Sequence, residues 1–127
     1  MLMEKIILDT NFLLIPFQSK VDIFSEVDKI CMFKYELCII DKTIDELNNI
    51  IKQQKGTHKE AAQLALQLIK SKHLKILATH QDTDVDTILA SFSKKGYIIA
   101  TQDKELKKRV KKRIILKQRK YLSIEGI

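Results

Sequence analysis

Short apolar runs alternate along this chain with segments in which apolar residues recur every three or four positions. The runs show little in–out alternation, which predicts strands buried within a sheet. The five predicted strands are 5–8, 36–40, 74–78, 97–101 and 113–117. The periodic segments predict amphipathic helices. The five predicted helices are 21–32, the segment between Asp41 and Gly56, 58–72, 87–95 and 104–112.

Polar and small residues mark the ends of these elements. Asp41 or Thr43 is expected to cap the second helix, because a short oxygen-bearing side chain can accept a hydrogen bond from the first turn. Gly56 ends that helix, and Gly96 closes the fourth one. The regular alternation predicts an α/β fold, with three α/β/α layers around a mostly parallel central sheet. The length of 127 residues suits a single domain over 1–127.

The net charge of +7 is concentrated in one short segment. Residues 1–103 hold 13 Lys and 14 acids, whereas residues 104–120 hold ten Lys and Arg and one acid. A nearly neutral body is thus joined to a strongly basic C-terminal segment. Such a segment can bind phosphate groups, an anionic membrane surface or an acidic protein, and composition alone does not distinguish these partners.

Several classes of protein are excluded or disfavoured by the sequence. It has no apolar run of the roughly 20 residues that cross a bilayer, so we expect no membrane association. The N-terminus lacks a basic region, which argues against a signal peptide. Two cysteines are too few for a disulfide framework, and a cytoplasmic location is expected. Zinc-peptidase, Walker-type and dinucleotide-binding motifs are missing as well.

Acidic residues follow the predicted strands, at the edge where open α/β sheets bind ligands. Asp9 closes the first strand, and Asp103 follows the fourth. Asp84 and Asp86 come after the third strand, at the start of a helix. Glu46 lies one turn into the helix after the second strand, on the same side. Converging carboxylates repel one another unless a cation binds them, and oxygen ligands favour Mg²⁺ or Mn²⁺.

These residues resemble the motifs of a known family. Residues 9–11 (Asp-Thr-Asn) are similar to the opening motif of PIN-domain nucleases, and residues 45–47 (Asp-Glu-Leu) to the second acidic motif. The helix start at 84–89 resembles the third motif, and residues 97–106 resemble the fourth. The string 8–24 further resembles the archaeal branch of VapC-type toxins, which is related to endonucleases that process ribosomal RNA precursors.

Two departures from the family pattern affect the assignments. The family usually has one clear acid at the third position, whereas here Asp84 and Asp86 stand on either side of Val85. We slightly prefer Asp84 as the metal ligand, with Asp86 as a helix cap or outer-shell group. The family also tends to have proline where Asp41 stands, which changes the start of that helix.

The resemblance implies hydrolysis of phosphodiester bonds in single-stranded RNA with Mg²⁺ or Mn²⁺. Asp9 is then the central ligand, completed by Asp84 or Asp86 and by Asp103. Glu46 binds a second ion or orients the attacking water. The supporting residues, expected to hold carboxylates by hydrogen bonds, are Thr10, Asn11 and Thr101. Asn11 is alternatively a phosphate contact.

The basic segment is assigned to RNA binding. Lys107, Lys108, Lys111 and Lys112 would share one face of a helix that begins beside Asp103, and this face would lead the RNA backbone to the acids. The partners implied are an RNA substrate together with either a cognate antitoxin or ribosome-assembly factors. The apolar helices at 44–51 and 60–69 also suggest a homodimer.

Two other interpretations compete with a metal-dependent endoribonuclease. A catalytically silent PIN-like module would bind RNA through the same basic face without cleaving it. A receiver-like or phosphatase-like protein would carry a phosphorylated Asp, but the lysine that this chemistry needs after a later strand is not evident. Cleavage assays with and without metal separate the first two, and a phosphodonor assay addresses the third.

Overall fold

The central sheet is built around the first strand of the chain. The structure, a computed structural model, describes residues 3–127, so the first two residues of the domain predicted over 1–127 lie outside the described residues. Within the described range the sheet has six strands in the order β3-β2-β1-β4-β5-β6. The strands are β1 Glu4–Leu8, β2 Tyr35–Ile40, β3 Lys75–Leu77, β4 Ile98–Ala100, β5 Arg113–Lys117 and β6 Tyr121–Glu125. Strands β1 to β5 are parallel to one another, and β6 runs antiparallel to β5.

Helices cover both faces of this sheet and complete three layers. Over residues 3–127 they are α1 Thr10–Leu13, α2 Ile15–Ser19, α3 Ile23–Ile30, α4 Asp41–Gln53, α5 Thr57–Ser71, α6 Val85–Lys94 and α7 Lys104–Arg109. Alternate residues of β1 face opposite layers. Ile6 and Leu8 belong to the core that α1 to α5 cover, whereas Ile7 packs with Ile88 of α6 and Leu106 of α7. The predicted α/β/α class is confirmed.

Most predicted elements lie within two residues of their observed bounds, but the end of α7 was predicted wrongly. The helix stops at Arg109 and not at residue 112. Val110 is extended and buried, because its side chain belongs to the core under α7. The next amide, that of Lys111, donates to Ser93 Oγ at 2.9 Å instead of continuing the helix. Tertiary packing therefore ends a helix whose lysines and arginines favour its continuation.

The predicted cap of α4 is also wrong. The helix begins at Asp41, and its N-cap position is held by Ile40, the last residue of β2. The Asp41 carboxylate accepts hydrogen bonds from the hydroxyl and the backbone amide of Thr79, beyond the end of β3. Thr43 is buried within the first turn. The carboxylate thus links two neighbouring strand ends.

Three elements were not predicted: α1, α2 and β6. The two helices are only four and five residues long, too short to show helical periodicity. Strand β6 pairs with β5 through a tight turn that contains no glycine, so the usual hairpin signal is missing.

The direction in which the sheet grows reverses between β1 and β4. Strands β2 and β3 lie on one side of β1, while β4, β5 and β6 lie on the other. At such a reversal the connections leave in opposite directions, which opens a crevice beyond the carboxyl ends of the two strands. The backbone amide of Asp9, just after β1, donates to the carbonyl of Ala100 at the end of β4 at 3.0 Å. Asp9 therefore lies at the crevice.

Candidate active site

Asp9 has a strongly perturbed carboxyl group. Burial raises the pKa of Asp9 from 3.8 to about 6, a hydrogen bond from Thr101 opposes the rise, and the nearby carboxylates of Glu46 and Asp86 add to it. The Thr101 hydroxyl donates to Asp9 Oδ2 at 3.0 Å. Desolvation and the nearby negative charges both disfavour the ionised form of Asp9, so a bound cation would stabilise the ionised carboxylate.

Thr101 links Asp9 to Asp103. Thr101 is fully buried at the end of β4, and its hydroxyl accepts a hydrogen bond from the Asp103 amide at 3.1 Å. Asp103 is the N-cap of α7, and its Oδ1 accepts from the amides of Glu105 and Leu106 at 2.8 and 3.0 Å. Thr101 therefore contacts both Asp9 and Asp103, and its supporting role stays a prediction. Asp103 is exposed, and both capping bonds use the same oxygen.

Glu46 is held beside Asp9 by a pair of buried hydroxyls. Thr10 Oγ1 donates to Glu46 Oε1 at 2.8 Å, and the hydroxyls of Thr10 and Thr43 share a hydrogen bond of 2.9 Å. Thr10 follows Asp9 in the chain, so the contact fixes the first turn of α1 against α4. Thr43 was missed as a supporting residue. Its position three residues before Glu46, on the same helix face, is the signal that points to it.

Asp84 and Asp86 differ in their contacts and in their burial. Asp84 is the N-cap of α6 and accepts from the amide and hydroxyl of Thr87 at 3.1 and 2.6 Å. These bonds lower the pKa of Asp84, which is exposed. Burial raises the pKa of Asp86, and the Asp103 and Asp84 carboxylates add to the rise. Asp84, not Asp86, therefore caps α6, so the cap alternative for Asp86 is wrong. Its outer-shell alternative and the choice of metal ligand stay predictions.

Arg109 is a further residue near the acids that the sequence did not single out. Its guanidinium donates to Thr87 Oγ1 at 3.1 Å and partly offsets the rise in the pKa of Asp86. The position of Arg109 in the last turn of α7, next to the first turn of α6, depends on the packing of the two helices. No pattern along the chain indicates this contact.

The acids are close enough to repel one another but do not form a closed metal cage. In the part of the chain that the structure describes, residues 3–127, no three His, Cys, Asp or Glu side chains are grouped closely enough to hold a metal ion. The carboxylates of Asp84 and Asp103 cap α6 and α7, so the predicted acidic cluster is more widely spaced than expected. The donors nevertheless fit a hard divalent cation, because they are carboxylates, and burial together with their mutual repulsion raises the pKa of Asp9 and Asp86. Mg²⁺ keeps several of its waters, so it does not need every carboxylate in direct contact.

The four lysines assigned to RNA binding do not share one helix face. Lys107 and Lys108 lie on α7, and Lys108 pairs with Glu105 at 3.5 Å. Lys111 and Lys112 follow the helix and directly precede β5, at the amino edge of the sheet. Lys112 forms an ion pair of 3.8 Å with Glu4, the first residue of β1. The shared face was therefore predicted wrongly, because α7 ends early and the chain has already crossed to the edge opposite Asp9.

Asn11 lies in α1 and is exposed, beside a polar cavity between α1, α2, the end of β4 and β5. No hydrogen bond to a carboxylate is seen for its side chain within residues 3–127, so a supporting role of that kind lacks structural evidence. The alternative role, contact with the substrate, agrees with its exposure. The same described range contains no helix with the length and apolar character that a membrane crossing requires.

Comparisons with known proteins agree on one family. A family model described as a PIN like domain matches residues 6–119. The chain is 32% identical to Ribonuclease VapC4 of Methanocaldococcus jannaschii, an alignment that covers 98% of this chain and 99% of that protein. It is 31% identical to Ribonuclease VapC9 of Archaeoglobus fulgidus, over 94% of this chain and 87% of the other.

A eukaryotic protein and a solved structure extend this similarity. The chain is 30% identical to the rRNA-processing protein fcf1 of Schizosaccharomyces pombe, over 84% of this chain and 53% of that protein. The structure of the PIN domain endonuclease Utp24 superposes with a TM-score of 0.77 at 24% identity, covering 97% of this chain and 92% of the other. At that identity the superposition shows the fold.

Proposed function

This chain belongs to the PIN-like domain family, as its motifs predicted, and on this basis we propose that it is an endoribonuclease that hydrolyses single-stranded RNA with Mg²⁺ or Mn²⁺. Relatives named as ribonucleases match it over nearly its whole length. The observation that carries the proposal is the position of Asp9. Its carboxylate lies at the crevice between β1 and β4, and burial and neighbouring acids raise its pKa to about 6.

The chemistry of phosphodiester hydrolysis explains why such a site is useful. A bound divalent cation lowers the pKa of a coordinated water and offsets the charge that develops on the phosphoryl oxygens. Asp9 and Asp86 would hold the cation, with Asp103 reaching it directly or through water. Thr101 holds the Asp9 carboxylate by its hydrogen bond of 3.0 Å, which fixes the direction of the free oxygen. The fixed Glu46 carboxylate, bound by Thr10, is suited to accept a proton from the attacking water.

The relatives suggest two alternative biological roles, that of a toxin and that of an RNA-processing nuclease. As a VapC-type toxin, the protein would be inhibited by an antitoxin that offers Arg or Lys to the acids. As a processing nuclease, it would act on a ribosomal RNA precursor with ribosome-assembly factors. A small neighbouring reading frame whose product binds the protein and blocks cleavage supports the first role. Cleavage of a precursor at one defined position supports the second.

The test compares cleavage of single-stranded RNA by the wild type and by Asp9→Asn. We expect cleavage with Mn²⁺ or Mg²⁺, none with EDTA, and a loss of at least 100-fold in Asp9→Asn, because the central carboxylate is removed without a change of shape. Glu46→Gln is expected to lose at least tenfold. Asp45→Asn is the matched control for Glu46, since it removes an exposed acid at the next position of α4.

Two results would contradict the proposal. Cleavage that persists in EDTA, or that survives Asp9→Asn, excludes the metal-dependent mechanism. Salt-sensitive RNA binding without cleavage under any metal condition favours the silent RNA-binding module instead.

A further inference from the structure

A polar cavity lies at the carboxyl edge of the sheet, the edge at which Asp9 and Asp103 follow their strands. Its volume is about 380 Å³, within the range of roughly 300–1,000 Å³ that small-ligand sites occupy. Asn11 of α1 and Gln102, which follows Thr101, contribute to its walls. These two residues come two positions after Asp9 and one before Asp103. Two lining residues are therefore close in the chain to Asp9 and Asp103, two of the predicted metal ligands.

The lining of the cavity combines amides with apolar walls. Gln102 Oε1 accepts a hydrogen bond from the Leu116 amide at 2.9 Å, so the orientation of this side chain is fixed and its NH₂ group is left as a donor. Asn11 and Gln18 are exposed and bring both donors and acceptors, while the half-buried Leu116 provides apolar surface. Ile15 also lines the cavity but is only 3% exposed. Unstacked RNA bases are recognised by hydrogen bonds to their edges and by contacts with their faces. This lining offers both.

One basic residue, Arg119, lines the cavity, and it lies in the turn between β5 and β6. Gln118 and Arg119 have φ values of 52° and 55°, and the Lys120 amide donates to the Lys117 carbonyl at 3.0 Å. These are features of a type I′ turn, in which Asn and Gly are the preferred residues. Arg119 is placed on the wall of this cavity and of a neighbouring one of about 340 Å³.

The second cavity continues the basic surface towards α3. Lys20, Lys120 and Arg119 line it, and in residues 3–127 none of the three forms a salt bridge. The acids that line the same cavity are engaged. Asp22 caps α3, and Glu26 binds Lys29 and the Leu122 amide. Among the residues that line this cavity, Lys20, Arg119 and Lys120 are thus the basic ones without a salt bridge in the described range.

We propose that the amide-lined cavity receives one base of a single-stranded RNA next to the cleaved phosphodiester, while Lys20, Arg119 and Lys120 hold the adjoining phosphates. Gln18 and Gln102 then act as specificity-determining residues. The proposal rests on the ribonuclease function and states which surface the RNA substrate follows to the acids. That path follows the hairpin turn at the carboxyl edge, not Lys111 and Lys112 at the amino edge.

The first experiment measures binding without cleavage. Fluorescence anisotropy of a labelled single-stranded RNA is followed with the Asp9→Asn protein over a range of salt concentrations. We expect the further changes Arg119→Gln and Lys120→Gln to weaken binding at least tenfold and to reduce the log–log salt slope by about 0.7 for each phosphate that the protein no longer neutralises. The matched control is Lys34→Gln with Lys94→Gln, which removes two exposed charges just before β2 and in the last turn of α6, and should change neither quantity.

The second experiment tests the base-binding cavity in the cleavage-competent protein. An abasic nucleotide is moved through an RNA substrate of fixed sequence, and kcat/KM is measured for the wild type and for Gln18→Ala. In the wild type we expect one position beside the cleavage site at which the missing base lowers kcat/KM at least tenfold. Gln18→Ala should lower kcat/KM for the intact substrate and reduce that position-specific loss.

The outcomes separate this proposal from the function on which it rests. A wild type that cleaves RNA, together with an Arg119 and Lys120 variant that binds as tightly as its parent, overturns the substrate path and leaves the ribonuclease function intact. An abasic scan without a sensitive position overturns the base cavity. A wild type that neither binds nor cleaves RNA overturns both. Lys20→Gln, outside the hairpin, repeats the binding test if the turn variant fails to fold.

Discussion

The Asp9 carboxyl group is stabilised in its protonated form by the fold. Its pKa in the folded chain is about 6, against 3.8 for the ordinary side chain. Between pH 3.8 and about 6, the folded chain therefore keeps the Asp9 proton while the unfolded chain has lost it. The stability gained from protonation is fully present below about pH 3.8 and is lost as the pH rises through about 6. At neutral pH and without metal, the ionised carboxylate therefore weakens the fold that positions it.

Asp9→Asn should therefore stabilise the metal-free protein at neutral pH. The variant is expected to have the larger free energy of unfolding, and its advantage over the wild type should grow between pH 4 and 7. The upper bound of this advantage is about 3 kcal/mol, because each unit of pKa shift corresponds to about 1.4 kcal/mol. Urea unfolding in EDTA at several pH values measures it. Added Mg²⁺ should stabilise only the wild type, because the variant lacks the central ligand. A difference that is constant with pH would contradict the assignment of the raised pKa.

Asp84 and Asp86 are only two positions apart, yet their contacts predict opposite effects of substitution. Asp84→Ala removes the cap of α6, so the melting temperature should fall while kcat changes by less than about threefold. Asp86→Asn leaves the cap in place and removes a carboxylate near Asp9 and Asp103, so kcat should fall at least tenfold with little change in melting temperature. Thermal unfolding and single-turnover cleavage of the two variants decide the assignment. The opposite pattern would restore Asp84 as the ligand.

Among the secondary-structure elements, helix α7 determines where the basic segment lies. The helix begins at the capped Asp103, beside the acids, and runs away from them until Val110 enters the core. Its basic composition was clear in the sequence. The end at Arg109 was not, because it depends on a hydrogen bond from Lys111 to Ser93, a residue on another helix.

The two lysine pairs of this segment should therefore differ in their effect on RNA binding. Lys107→Gln with Lys108→Gln removes charge one turn from Asp103 and is expected to weaken binding several-fold. Lys111→Gln with Lys112→Gln removes the same charge at the opposite edge and should change binding by less than twofold. Each double variant is compared by its dissociation constant at a single low salt concentration. Equal effects would mean that α7 and the strand after it form one binding face.

Across the domain, the order of the strands brings the distant acidic motifs together. Asp9 and Thr101 are 92 residues apart in the chain, yet they share a hydrogen bond because β1 and β4 are neighbours. The reversal of strand order at this pair creates the crevice, and α1 and α7 begin beside it. A site formed in this way depends on the sheet, not on any local motif.

A homodimer stays a prediction. On the helices that suggested it, Leu64 of α5 is 42% exposed, whereas Leu47 of α4 and Ala65 of α5 are buried in the core. If the exposed face of α5 contacts a second copy, Leu64→Glu should convert a dimer into a monomer. Light scattering at several concentrations measures this, and Gln63→Glu, an exposed neighbour, is the control. A wild type that is monomeric at all concentrations would remove the hypothesis.

Patterns along the chain were sufficient to predict the fold class, most element bounds and the residues of the acidic motifs. Apolar periodicity reports which faces are buried, and acids after apolar runs fall on the ligand-binding edge of any parallel sheet, so these features are local. Three features became known only from the folded chain: which acid of the pair at 84 and 86 caps a helix, where α7 ends and which basic residues lie beside the acids. The cap is set by the hydrogen bonds of Asp84 with Thr87, three residues further on. The other two features depend on contacts between residues far apart in the chain, such as Lys111 with Ser93 and Lys112 with Glu4. Such contacts are fixed by packing, which periodicity along the chain does not record.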